Sequence, residues 1–173
     1  MTARQALIAL PMFLTIYVFQ EAVVNQFRLP GGGFSIFLIF ILVWAILSKP
    51  EVAALGGFLG GLLIDFSQSA SGPIGQWTLL MIGACYGVAY FGSGNESLSG
   101  SPLGFTFFTT TAVFLVECAY VFTGILFGLQ VGNFGQILTT IVGISLWSLV
   151  VTPIVLPIFS RLHAFTFDTR SMI

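Results

Sequence analysis

A chain of 173 residues with 57% hydrophobic and only 6% charged side chains cannot coat a soluble surface, for which roughly 25% charged residues is usual. Its net charge of −1, from five Lys and Arg against six Asp and Glu, supplies no basic stripe to neutralise phosphates and excludes nucleic acid as a partner. A mean hydropathy of +1.04 and nineteen Phe point instead to the lipid bilayer, with residues 1–173 forming a single transmembrane domain.

A spanning helix needs about 20 predominantly apolar residues, and six runs meet or approach that length. The first covers 6–24. Arg4 gives it a weak signal-peptide look, but Glu21-Ala22-Val23-Val24-Asn25 offers no small-x-small cleavage site, so it reads as a retained span. After Pro30-Gly31-Gly32-Gly33, taken as a flexible loop, a second helix covers 34–48. Ser48-Lys49-Pro50-Glu51 turns so tightly that the third helix, 51–66, must be antiparallel to the second. Pro50 suits a first helical turn and Glu51 complements the dipole there. Both helices are short for a bilayer. A fourth helix is expected at 75–92, a fifth at 103–128 and a sixth at 136–160, where Pro153 and Pro157 should kink or stop it. The fold class is therefore all-α and polytopic with about six spans. Five spans with a fused hairpin is the competing count.

Lys and Arg set the orientation. With six spans, Arg4, Lys49, Arg161 and Arg170 share one side and only Arg28 falls on the other. Both termini are then expected to be cytoplasmic, in a bacterial inner membrane. The even count fits this asymmetry better than five.

Three acids fall in or beside spans, where an ionised side chain costs about 2.5–3.5 kcal/mol on insertion scales. Glu21, Asp65 and Glu117 all belong to the outer half of outward-running helices. Asp65 closes Gly56-Gly57-Phe58-Leu59-Gly60-Gly61-Leu62-Leu63-Ile64-Asp65. Gly57, Gly61 and Asp65 make one helical stripe, and the pairs Gly56/Gly60 and Gly57/Gly61 allow close backbone approach. Asp65 either orders the loop after it, through N–H groups between Phe66 and Gly75, or contacts a partner. Asp65→Asn is expected to disturb complex function more than folding. Glu117 reads as hydrogen-bonded to a neighbouring helix or as a partner contact, and Glu21 as reaching the interface.

Cys85 and Cys118 lie in apolar runs and read as packing residues. His163, placed in the C-terminal tail, has no second ligand at metal spacing, so neither a metal nor a cofactor is expected. Trp44, Trp77 and Trp147 fit packing or interfacial roles. Enzyme motifs and an intramembrane nucleophile–base pair are missing from the sequence, which argues against catalysis.

The run Gly60-Gly61-Leu62-Leu63-Ile64-Asp65-Phe66, then Pro73-Ile74-Gly75 opening the next helix, resembles the MreD family of bacterial rod-shape membrane proteins. Gly57, Gly61, Asp65 and Gly75 fill that family's Gly-rich, Asp-terminated pattern, and Glu117 matches an acid found in the fifth helix of some members. The motif covers 57–90; elsewhere the match is one of hydropathy, and 92–102 departs by being polar rather than basic. The resemblance implies a six-helix fold like that of the substrate-binding subunits of energy-coupling-factor transporters. It also implies a non-enzymatic scaffold for cell-wall elongation and cell shape. Its partners would be MreC, a single-span protein, and indirectly MreB and RodA with its transpeptidase. The alternative is a binding subunit for a small solute. A carrier requires a pocket with convergent polar groups, a scaffold a groove open to lipid or partner.

Overall fold

In the computed structural model, residues 3–27, 29–67, 72–93, 101–129 and 132–167 are described. They are all-helical, with six α-helices: α1 (Ala3–Ala22), α2 (Ile36–Ile46), α3 (Pro50–Asp65), α4 (Gln76–Ser93), α5 (Pro102–Leu126) and α6 (Phe134–Phe167). Single 3-10 turns occupy Val24–Gln26 and Pro30–Gly32. Three segments, Leu7–Gln26, Pro102–Leu126 and Phe134–Phe167, are long and apolar enough to cross a membrane. The ends agree with the sequence reading to within two or three residues except at α6. There the helix runs on through Pro153 and Pro157 to Phe167. Proline is tolerated in apolar helices that are packed against neighbours, and α6 packs on α2 and α5. Thr152 Oγ1 donates back to Ser148 O at 2.6 Å and Ser160 Oγ to Pro157 O at 3.2 Å, local bonds within the helix.

The shortest helix is the centre of the bundle. α2 has 11 residues, roughly 17 Å of rise, which falls short of the hydrocarbon thickness. Phe37 to Ile46 are nevertheless all buried. α2 touches each of the other five helices. A helix that is apolar all round is buried in protein or in lipid, and its contacts make α2 a hub enclosed by the other helices. Lipid removes most of the hydrophobic drive between helices, so close packing must hold them. An aromatic cluster does much of this at the hub. Phe13 meets Phe40 edge-on at 4.9 Å and Trp44 at 5.4 Å, and Phe40 meets Phe159 at 5.1 Å. Such pairs contribute about 0.5–1.5 kcal/mol each beyond area burial. Large apolar side chains such as Leu7, Phe122, Leu146 and Ile154 point outward, as expected of a lipid-facing surface.

The pairings fix direction. Phe13 meets Trp44 while Tyr17 meets Phe37, so α1 and α2 are antiparallel. Gly56 faces Trp44 and Gly60 faces Ile41, so α2 and α3 are antiparallel. Gly57 faces Met81 and Gly61 faces Thr78, giving the same relation for α3 and α4. Helices α1 to α4 thus alternate up and down. His163 is not in a tail: it lies in α6, 2.9 Å from Ser48 Oγ and edge-on to Trp44 at 4.9 Å. This contact sets Lys49 and Arg161 at the same end of the bundle. Arg28 and Arg170 lie outside the described residues, as does most of the polar 93–102 stretch.

The Gly31–Gly33 segment is packed rather than free. All three glycines have positive φ, and Gly31 sits so tightly on α6 that a Cβ on Gly143 would overlap the Gly31 carbonyl. Gly75 shows the opposite case. The family pattern sets it beside the helix-packing glycines Gly57 and Gly61, yet a Cβ there would meet nothing within 4 Å. Its φ of +97° explains the residue instead. Gly75→Ala should therefore cost only the strain of a positive-φ side chain, about 1–2 kcal/mol. A small fall in melting temperature with normal expression is the expected result, measured on detergent-purified protein.

Candidate functional site

At the end of the bundle opposite Lys49, α1, the start of α2 and Asn25, Gly32, Phe34 and Ser35 between them line a cavity of about 330 Å³, to which α5 adds Glu117 and α3, α4 and α6 add residues at its margin. The α1 wall follows from helical periodicity. Tyr17, Gln20 and Glu21 stand at i, i+3 and i+4, one face of the helix, and all three line the cavity. Gln20 also fixes the N-terminus of α2. Its Oε1 accepts from Ile36 N at 2.8 Å and Phe37 N at 3.4 Å, while its Nε2 donates to Asn25 Oδ1 at 2.7 Å. Ser35 Oγ accepts from Leu38 N at 3.1 Å, and Ile39 N donates to Ser35 O at 3.1 Å. The three N–H groups of the first turn, those of Ile36, Phe37 and Leu38, are thus taken up by side chains.

The three expected acids part company. Glu21 and Glu117 line the cavity together. Ser67 Oγ donates to Glu21 Oε1 at 2.6 Å. Glu117 projects from the middle of α5, and among the described residues no hydrogen-bond donor or cation reaches it. Asp65 is elsewhere. It is buried at the α3–α4 junction, where Oδ1 accepts from Trp77 N at 3.1 Å. Its Oδ2 accepts from Thr78 N at 3.0 Å and from the Thr78 hydroxyl. Among the described residues its donors belong to the first turn of α4 and not to the loop between Phe66 and Gly75. Asp65 is thus an N-cap supplied by a neighbouring helix, and its charge complements the positive end of α4.

The helix-packing glycines divide into two faces. Gly56 and Gly60 meet side chains of α2, while Gly57 and Gly61 lie on the backbone of α4. Trp77 has two roles: it stacks on Tyr120 at 4.3 Å and also lines the cavity. Cys85 is buried, Cys118 is half-buried, and both are free thiols. Among the described residues no three His, Cys, Asp or Glu side chains come together as a metal site.

A second concavity, about 430 Å³, runs between α4 and α5 and is lined by apolar residues including Leu80, Ala84, Val88 and Leu115. Gly83 and Gly87 stand one helical turn apart in its floor, and a Cβ on either would meet nothing within 4 Å.

An all-helical bundle with three span-length apolar helices and an apolar exterior has the make-up of a multi-pass membrane protein. Comparison with family models, curated proteins and solved structures gives no match for this chain.

Proposed function

We propose that this chain crosses the bacterial inner membrane six times with both termini cytoplasmic, and acts as a non-enzymatic scaffold of the MreD type. It supports cell-wall elongation by holding the single span of an MreC-like partner. The observation that carries this reading is the groove between α4 and α5. Inward-facing glycines on α3 meet a neighbour, whereas Gly83 and Gly87 form a small-xxx-small pair with empty space above them. Such a pair allows a further helix to approach closely. The resemblance of 57–90 to MreD supplies the identity of the partner.

The test uses Gly83→Leu and Gly87→Leu. Both fill open space, so expression and melting temperature should stay close to wild type. Recovery of MreC with the tagged protein should fall several-fold, and shape should not be restored in an MreD-depleted rod-shaped bacterium. Full recovery and restored rods with both variants would sink the groove as the docking face. Failure of the wild-type chain itself to restore shape would sink the MreD reading.

The cavity favours a second reading, the binding subunit of a small-solute transporter, because polar groups from several helices converge there. Uptake of a labelled solute that depends on this chain would decide for it.

A further inference from the structure

We infer that the cavity between α1, α2 and α5 is a binding site for an organic cation, a guanidinium or alkylammonium group. The first ground is charge. Glu21 and Glu117 both line the cavity, and among the described residues no Lys, Arg or His does. Two acidic side chains in one partly apolar cavity are held as carboxylates only with a counter-charge. The second ground is the disposition of donors. The N–H groups at the end of α2, which could have supplied partial positive charge, are consumed by Gln20 and Ser35. Glu21 has a donor in Ser67, but Glu117 has none among the described residues. The third ground is the wall itself. Tyr17, Phe37 and Trp77 line the same space, and aromatic residues favour cations over anions. Among the described residues only two acidic side chains line the cavity and no third His, Cys, Asp or Glu joins them, so the arrangement suits a planar or tetrahedral nitrogen cation better than a metal ion. At about 330 Å³ the space admits a short amine or the end of a basic side chain. The same chemistry therefore serves a free solute and a Lys or Arg reaching in from a partner.

The site is separate from the α4/α5 groove, and either can fail without the other. The full chain in nanodiscs is titrated with agmatine by calorimetry, with potassium chloride of matched ionic strength as control. Agmatine should bind, and Glu117→Gln should weaken it about ten- to hundred-fold, as expected for loss of a hydrogen bond to a charged group. Glu21→Gln gives an independent reading should Glu117→Gln not be recovered folded. Repeating the titration with a bound partner distinguishes the sources. Binding that persists identifies a free solute, and binding that is blocked identifies a partner's basic side chain; both support a cation site. No binding by wild type, or equal binding by wild type and both Gln variants, would overturn it. So would binding confined to an Arg28→Gln background, because the chain's own base would then fill the cavity.

Discussion

Gly61→Ala should destabilise the bundle by about 1–3 kcal/mol, as overpacking does in a close-packed interior, and Gly61→Leu should leave little folded protein in the membrane. A Cβ on Gly61 would stand 2.6 Å from Thr78 Cα, 2.8 Å from Trp77 O and 2.9 Å from Thr78 N. Those atoms are backbone and have no rotamer to give. Gly57 is in the same position against the carbonyl of Met81. The two helices would have to separate, and separation would also pull Trp77 and Thr78 away from Asp65. Gly60→Ala makes the internal comparison. Its Cβ would strike only the side chain of Ile41, which can rotate, so its loss should be smaller. Melting temperatures of purified Gly57→Ala, Gly61→Ala and Gly60→Ala decide the matter. Equal, small losses for all three would mean that the α3–α4 contact is looser than its geometry implies.

The sequence carried most of the fold because its signals are local. Apolar runs broken by Pro, Gly and polar clusters mark helix ends wherever a helix must stop at a membrane face. The even alternation of helices follows from turns as short as Ser48-Lys49-Pro50. The error at α6 has the same origin. A rule learned from water, that Pro ends a helix, fails where neighbouring helices hold the flanking turns in place, as α2 and α5 do for α6. The central place of α2 was not legible, since a fully apolar 11-residue helix reads the same whether lipid or protein surrounds it. The packed Gly31–Gly33 turn was missed because its partner, Gly143, is more than a hundred residues away.

The candidate site was legible in part. Glu21 and Glu117 were found because each is an acid where acids are costly. Tyr17 and Gln20 were not singled out, although their spacing with Glu21 defines one polar face on α1. Trp77 reads from the sequence as a packing or interfacial residue, which covers its stack on Tyr120 but not its place in the cavity wall. Grouping Asp65 with the other two acids was an inference from depth alone. Depth says how far along the bundle a residue lies, not which way its side chain turns.

Asp65 should matter most for folding. The sequence suggested that Asp65→Asn would spare folding and harm only complex function, and the geometry revises that expectation. Both carboxylate oxygens accept hydrogen bonds, Oδ1 from Trp77 N and Oδ2 from Thr78 N and its hydroxyl. An Asn has one acceptor oxygen, so its amide NH₂ would face an N–H donor on the other side. One backbone donor is then left unsatisfied in a buried junction, a loss of about 1–3 kcal/mol. The favourable charge at the start of α4 is lost as well. Asp65→Leu removes every acceptor and should cost on the order of 3 kcal/mol or more. Asp65→Glu keeps the charge but pushes the carboxylate one methylene further into a junction where Gly61 already holds the backbones together, so it too should destabilise. The measurement is thermal unfolding of the variants in detergent, beside Glu117→Gln as a control outside the junction. The expected order of melting temperature is wild type, then Asp65→Asn, then Asp65→Leu. A melting temperature for Asp65→Asn equal to wild type, together with loss of partner recovery, would return Asp65 to the role of a partner contact and remove it as the cap of α4.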